Sequence, residues 1–497
     1  MLVDVPVLAQ QRSAKRGVCW DESTQNISDA PLQKMAPGVA WYYNWGQTPQ
    51  GTTTLIGQGD GRVAYLPMCW NGDFNETNLR NYLTAHPGEV KYLLAFNEPN
   101  LSWNVGGAQM TPQQAANAWS KVKQVAVDFG LEIVAPALNF SGDKVGDKVW
   151  SPFEWYDEFF RLVPDAGIDY LAFHSYMNWY SAVNWVASEY FYTDKDDNLM
   201  TAANRAKYPN LVKFMDDYKT AHGHYPKMFL TEFCAWEGNK DGYVSTLDNQ
   251  IDQMVQKVQK LEQSDMVAGY AWFMANTSQA PTVYPYNSIF QSNTASSELS
   301  DLGKVYVYMS SFDKEKYYTT GETILAKDYI NASMDGQVPR VRPNTESGSN
   351  IPLQVEWGSG SWTAYQVNLP SDGEYTLTLH MKSSQANDFR IYNGALGAAN
   401  KKLDTTLPST NGAWQDVTTT VTLTAGQHTL LLYNMGTSSI LLNQLCFDTT
   451  SGIRDIRGKK EDVKADGVYY DLQGRRVQNP TNGIYIVNGK KVVRGKW

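Results

Sequence analysis

Between residues 14 and 310 the chain repeats one pattern eight times. A short apolar, β-branched or aromatic run is followed by a stretch whose apolar residues recur at helical spacing. The runs are Arg16–Trp20, Val39–Trp45, Val63–Trp70, Val90–Asn97, Leu131–Asn139, Ile168–Tyr176, Lys227–Phe233 and Val267–Phe273. Between them lie helical stretches such as Thr111–Phe129 and Thr246–Gln263. Thr111-Pro112-Gln113-Gln114 reads as a helix start, with Thr as cap, Pro in the first turn and Gln at the third position. Strands that alternate with helices return to their sheet through crossovers and so run parallel. Eight such units predict a (β/α)8 TIM barrel, here over residues 14–318, and that fold takes roughly 250 residues.

A barrel of this kind carries its site at the C-terminal ends of its strands. The runs here end in Cys19-Trp20-Asp21, Tyr43-Asn44-Trp45, Cys69-Trp70-Asn71, Asn97-Glu98-Pro99, Leu138-Asn139, His174-Ser175-Tyr176, Thr231-Glu232-Phe233 and Trp272-Phe273. One rim thus receives two carboxylates, several amides, a His and many aromatics. Cleaving a glycosidic bond needs a proton donor on one face of the bond and a carboxylate on the other, which Glu98 and Glu232 could supply. At the ends of apolar strands a carboxyl is partly desolvated and can stay protonated near neutrality.

His174 and Tyr176 alternate along the sixth strand, so both can face the mouth, although a satisfied buried His is the plainer reading. Asn139 could contact a sugar hydroxyl or cap the next turn. Aromatics are 13% of the chain, with 16 Trp and 30 Tyr. Sugar rings lay apolar C–H faces against such planes. Trp20, Trp45, Trp70, Trp103, Trp179, Trp236 and Trp272 follow or end strands, with Trp272 and Trp70 the favoured platforms. Trp is also a common core residue.

The formal charge of −9 argues against a nucleic-acid partner, whose phosphates call for a basic face. No apolar run approaches the roughly 18 residues of a membrane span. The four Cys (Cys19, Cys69, Cys234 and Cys446) form no CxxC pair and read as small buried thiols. Six scattered His make no metal signature, so no metal or other cofactor is expected for catalysis. The opening MLVDVPVLAQ has no basic leader and is not a complete signal peptide.

Near residue 323 helical periodicity gives way to Thr, Ser, Gly and alternating strands such as Tyr365–Asn368, Glu374–Met381, Trp414–Thr424 and His428–Asn434. Residues 323–449 read as an all-β jelly-roll sandwich, 450–466 as a polar linker, and 467–497 as a small β-rich module. From Arg454 onward 11 Lys/Arg face 5 Asp/Glu, so the tail is net +6.

Asn97-Glu98-Pro99 ending the fourth strand and Thr231-Glu232-Phe233 ending the seventh resemble the large clan (clan A) of retaining glycosidases. Within it the first 310 residues look closest to glycoside hydrolase family 128, endo-β-1,3-glucanases. The supporting text is Arg16-Gly17-Val18, Trp41-Tyr42-Tyr43-Asn44-Trp45, Leu94-Ala95-Phe96-Asn97-Glu98-Pro99-Asn100, Val134-Ala135-Pro136-Ala137, Phe173-His174-Ser175-Tyr176 and Leu230-Thr231-Glu232-Phe233. The resemblance implies Glu98 as general acid/base, Glu232 as nucleophile, and Asn97 as partner of the sugar 2-hydroxyl. It also implies a laminarin- or curdlan-type substrate cut by double displacement. A relative cutting another β-linked glucan, or a barrel that binds glycan without cleaving it, stays open.

Residues 324–448 resemble a family 6 carbohydrate-binding module through Gly358-Ser359-Gly360-Ser361-Trp362, Trp414-Gln415-Asp416-Val417 and Leu441-Leu442-Asn443. The resemblance implies Trp357, Trp414 and Asn443 as glycan contacts. Such modules often hold a structural calcium, which no Asp/Asn cluster places here. Tyr470-Asp471-Leu472-Gln473-Gly474-Arg475-Arg476 resembles C-terminal secretion modules of Bacteroidetes, implying a protein secreted from, or held at the surface or in the periplasm of, a bacterium; separately, a monomer is expected.

Overall fold

The computed structural model describes residues 10–51, 53–140, 142–178, 199–235, 244–276, 286–334 and 337–449, together with four short strands of the tail. Residues 1–454 form one compact unit and residues 455–497 a second.

The first part of the larger unit alternates strands and helices. In order it contains β1 (Arg16–Cys19), α1 (Asp29–Met35), β2 (Trp41–Tyr43), β3 (Ala64–Tyr65), α2 (Glu76–Ala85), β4 (Tyr92–Leu94) and α3 (Pro112–Phe129). Then come β5 (Glu132–Val134), β6 (Leu138–Asn139), the hairpin β7 (Lys144–Val145) and β8 (Lys148–Val149), α4 (Pro152–Leu162) and β9 (Tyr170–Ser175). It continues with α5 (Ala202–Lys207), α6 (Pro209–His222), β10 (Lys227–Phe233), α7 (Leu247–Gln263), β11 (Val267–Trp272) and α8 (Asp301–Tyr308).

The sheet runs β3-β2-β1-β11-β10-β9-β5-β4, with β6 also on β9. Its pairings are parallel. Just beyond β3 the chain meets β4 at the far end of that order. Leu94 N donates to Pro67 O at 3.0 Å, and Cys69 N to Leu94 O at 2.9 Å. Each strand therefore delivers its C-terminal residues to the same rim.

Local chemistry sets these elements. Thr111 accepts from Gln114 N, and the Gln114 side chain answers at Thr111 N, a capping box that starts α3. Ser151 and Glu154 do the same for α4. Helix α4 buries Phe153, Trp155, Tyr156, Phe159 and Phe160, each worth about 1.5–3 kcal/mol of apolar transfer. In β1 only Gly fits at 17, where a Cβ would stand 2.3 Å from the Trp41 ring. All four Cys are buried free thiols.

The rest of the unit is a sandwich of two largely antiparallel sheets. One contains Tyr318–Thr319, Trp362–Leu369, Gly426–Asn434, Asn387–Asn393 and Lys401–Leu407 in that order; the other Arg340–Pro343, Leu353–Trp357, Ile440–Thr449, Gly373–Lys382 and Gln415–Leu423. Its core joins that of the first part through Tyr318, Ile324 and Tyr329. The expected domain limit near 318 thus falls inside one compact unit. Helix α7 forms the contact: Arg342 reaches Asp248 and Asp252 at 3.0 and 2.8 Å, Arg340 reaches Asp252 at 3.1 Å, and Gln259 donates to Asn331 at 2.9 Å.

In the small unit the strands Tyr469–Tyr470, Arg476–Val477, Gly483–Val487 and Lys490–Arg494 make one antiparallel sheet. The expected linker lies outside the described residues.

Candidate active site

Glu98 follows β4 and Glu232 lies in β10, three strands away around the sheet. Both are buried, at 6% and 3% exposure. His174, on the intervening β9, is fully buried between them. Its Nδ1 lies 2.7 Å from Glu98 Oε1 and 3.4 Å from Glu232 Oε2. One oxygen of each carboxylate and a ring nitrogen of His174 lie within 4.8 Å of one another.

Glu98 Oε1 also accepts from Asn139 Nδ2 at 2.6 Å. The backbone at Glu98 is left-handed, with φ 43°, an uncommon conformation for a side-chain-bearing residue. Its N–H donates to Ala137 O at 2.9 Å, which fixes the turn that lifts the carboxyl into the mouth. Such strain gathers where surrounding structure over-determines it, commonly at functional sites. Trp45, with φ 60°, is the other left-handed residue here.

Glu232 is held from the opposite side. Oε1 accepts from Tyr43 Oη at 2.8 Å and Trp45 Nε1 at 2.9 Å, and Oε2 accepts from Tyr176 Oη. Burial raises the Glu232 pKa; His174 and the hydrogen bonds pull it down, Glu98 pushes it up, and the net direction is upward. For His174, burial lowers the pKa, but Glu232 and Glu98 outweigh it and the net direction is again upward.

The sequence thus locates Glu98, Glu232, His174, Tyr176, Asn139 and Trp45 in one cluster. Asn97 is beside it: Nδ2 donates to Gly106 O at 3.3 Å, and its buried Oδ1 has no partner among the described residues. Trp70 is half-buried, and its ring lies 4.8 Å from that of Trp103, which is 58% exposed. Trp179 and Trp236 lie outside the described residues.

Two of the candidate aromatics, Trp20 and the favoured Trp272, are elsewhere. Trp272 is fully buried, donates Nε1 to Asn287 O at 2.7 Å and packs on Phe233 and Tyr306. Trp20 is fully buried and donates to Gln25 O. Neither offers a face to a sugar. The residue after Trp272 takes the place expected of it: Phe273 meets the rings of Trp45 and Tyr176 at 6.1 and 5.4 Å. Tyr43, Thr231 and Phe273 are site residues the sequence reading did not single out. Their signal was position, since each sits at a strand end already marked.

In the sandwich, Trp357 is a correction. It is fully buried, donates to Thr363 Oγ1 at 2.9 Å and stacks on Phe389. Asn443 is also fully buried and gives its amide to Glu346 at 2.7 Å, so it cannot grip a glycan end as placed. Trp414 is half-buried, stacked on His380 at 5.7 Å and 11°. His380 in turn spans Asp416 at 2.5 Å and Glu346 at 2.8 Å.

The metal-ligand types at the site are Glu98, Glu232 and His174. The near oxygens of both glutamates already accept hydrogen bonds from protein donors, Asn139 for Glu98 and Tyr176 for Glu232.

Comparison with known proteins agrees with this chemistry. Residues 344–449 match the carbohydrate binding module (family 6). The alkali-sensitive linkage protein 1 of Schizosaccharomyces pombe is 25% identical over 304 residues, 59% of this chain. The chain spans 44% of that curated relative's length. Similar solved structures include endo-beta-1,3-glucanases of glycoside hydrolase family 128, subgroup II. The one from Pseudomonas viridiflava is 28% identical over 60% of this chain and 98% of its own, with a TM-score of 0.42. That from Sorangium cellulosum is 26% identical over 59% and 98%, with a TM-score of 0.41. A carbohydrate binding module of Cellvibrio mixtus lichenase 5A, solved with cellotriose, is 24% identical over 26% of this chain and 96% of its own, with a TM-score of 0.22. The pattern of the glycosyl hydrolase catalytic core matches residues 17–306, which hold every member of the cluster around Glu98 and Glu232, and the chain belongs to that family.

Proposed function

We propose that the protein is a retaining endo-β-1,3-glucanase whose first part is a closed (β/α)8 barrel. The observation that carries the mechanism is the approach of the Glu98 and Glu232 carboxylates to within 4.8 Å. Retaining glycosidases hold their carboxyls about 5–5.5 Å apart, whereas inverting ones leave room for a water at about 6.5–9.5 Å. The β-1,3 linkage rests on the motif resemblance around Asn97-Glu98-Pro99 and Thr231-Glu232-Phe233.

The two carboxyls have distinct surroundings, and these support distinct roles. Glu232 is oriented by Tyr43, Trp45 and Tyr176 and attacks the anomeric carbon as the carboxylate. Glu98 Oε1 is engaged by Asn139 and His174, which leaves Oε2 to carry the proton to the departing oxygen. The new Glu98 carboxylate then deprotonates the water that cleaves the glycosyl ester. Asn97 Oδ1, buried without a partner among the described residues, is the acceptor for a sugar hydroxyl. The half-buried Trp70 and exposed Trp103 form a platform for sugars bound further along.

The tail's resemblance supports export to the cell surface, periplasm or medium, and the sandwich would hold the enzyme on its polymer. Incubation with laminarin or curdlan tests the reading: a ladder of short β-1,3-oligosaccharides is expected. Glu98→Gln and Glu232→Gln should each lower kcat by at least about 10³-fold while laminarin binding persists. Near-normal turnover by both variants refutes the assignment.

A further inference from the structure

We infer that Thr231 is a positioning residue whose hydroxyl partners Nε2 of His174 in both protonation states of the ring, while the two catalytic carboxylates keep a hydrogen on Nδ1. The inference deepens the proposed function and rests on it for its role in turnover. Its structural half stands on geometry alone.

His174 is fully buried, and its two nitrogens have unlike neighbours. Nδ1 faces Glu98 Oε1 at 2.7 Å and Glu232 Oε2 at 3.4 Å. Among the described residues Nε2 has one hydrogen-bond partner, Thr231 Oγ1, at 2.9 Å. A bare Nδ1 lone pair directed at two carboxylates would be repelled, so Nδ1 carries hydrogen whenever either is ionised. In the neutral ring Nε2 is then bare and needs a donor. In the imidazolium it carries hydrogen and needs an acceptor. A hydroxyl serves both by rotating, and an apolar side chain serves neither.

Thr231 is held for this task. It is buried, and its carbonyl accepts from Tyr43 Oη at 3.2 Å. It directly precedes Glu232 in β10, so strand alternation sets the two side chains on opposite sides, yet Thr231 still reaches β9. A register shift between Leu230 and Glu232 in the β9–β10 pairing, which pairs Glu232 with His174, makes this reach local. The other titratable neighbours are Tyr176 and Tyr43, which donate to Glu232, and the buried thiols of Cys19 and Cys234.

The consequence lies in the half-reactions. When Glu98 gives its Oε2 proton to the departing oxygen, negative charge appears on a carboxylate that already accepts from His174. A fixed Nδ1–H meets that charge without any ring flip. Losing the Thr231 hydroxyl, the partner that steadies this ring at Nε2, should therefore affect turnover more than binding.

The test reads His174 directly in the full-length protein labelled with 15N-histidine, its signals identified by their loss in H174Q. The wild type is expected to keep Nδ1 protonated throughout the titration while Nε2 alone changes state. Thr231→Val keeps the β-branched shape and removes the hydroxyl; with no acceptor left for the imidazolium Nε2–H, it should move the His174 titration to lower pH while Nδ1 stays protonated. Thr231→Ser should restore the wild-type pattern. On laminarin, T231V should lose about tenfold in kcat with KM within about twofold, the scale of one charge-assisted hydrogen bond. A wild-type ring with bare Nδ1, a T231V titration identical to wild type, or a T231S that behaves like T231V would overturn the inference. A wild type that cuts no glucan would instead overturn the functional reading, and the nitrogen shifts would still decide the tautomer.

Discussion

Glu232 accepts three hydrogen bonds in a site almost closed to water, and these two facts act on its proton in opposite directions. The donors favour the carboxylate, burial favours the acid, and burial wins. As the proposed nucleophile, Glu232 must be ionised, so activity is expected to be lost as pH falls through this raised pKa. The acid limb of kcat/KM should therefore lie above the usual carboxylate range. Tyr176→Phe removes a donor that favours the carboxylate and should move the limb to still higher pH. A limb at the ordinary glutamate value, unmoved by Y176F, would show that Glu232 is not the titrating group. Stability runs the opposite way: a carboxyl with a raised folded-state pKa lends stability at acid pH that is lost as pH rises through that pKa. Of the site, Glu98, Glu232, His174, Tyr176, Asn139 and Trp45 were legible because each ends a strand. Trp20 and Trp272 were misjudged because parallel strands are apolar on both faces, so alternation does not reveal which set faces inward. At the last strand the inward residue is Phe273, one position beyond the Trp that draws attention.

At the scale of elements, the eight runs each contain a strand of the sheet, trimmed at the ends. Leu131–Asn139 splits into β5 and β6, with Pro136 between them interrupting the pairing. The helix over Thr111–Phe129 starts at the expected cap because the capping box is a purely local device. Trp357 shows the converse. Its neighbours in sequence match a sugar-binding family, but only tertiary packing reveals that its ring faces Phe389 inside the sandwich. Trp357→Ala should therefore cost about 3–5 kcal/mol of stability, as for other buried Trp deletions, in a denaturant melt followed at the sandwich. Trp414→Ala, which removes a half-buried ring, should cost much less. Equal losses would place both rings in the core.

At the scale of the molecule, Arg340 and Arg342 join the sandwich to α7, the helix that leads from Glu232's strand to the last strand of the sheet. This contact was not legible in the sequence, where the two parts differ in texture and read as separate domains. Charge pairing across 88 to 94 residues leaves no local signal. Calorimetry of the wild type should show the first part and the sandwich melting together, and R340A/R342A should separate the two transitions. A single unchanged transition in the double variant would assign the coupling to the shared apolar core instead. The account as a whole turns on one stereochemical outcome. Proton NMR taken during the first minutes of laminarin hydrolysis reports the anomer formed before mutarotation. Two carboxylates this close, with one attacking carbon directly, require the β anomer to appear first; an initial α anomer would mean that water, not Glu232, attacks the sugar.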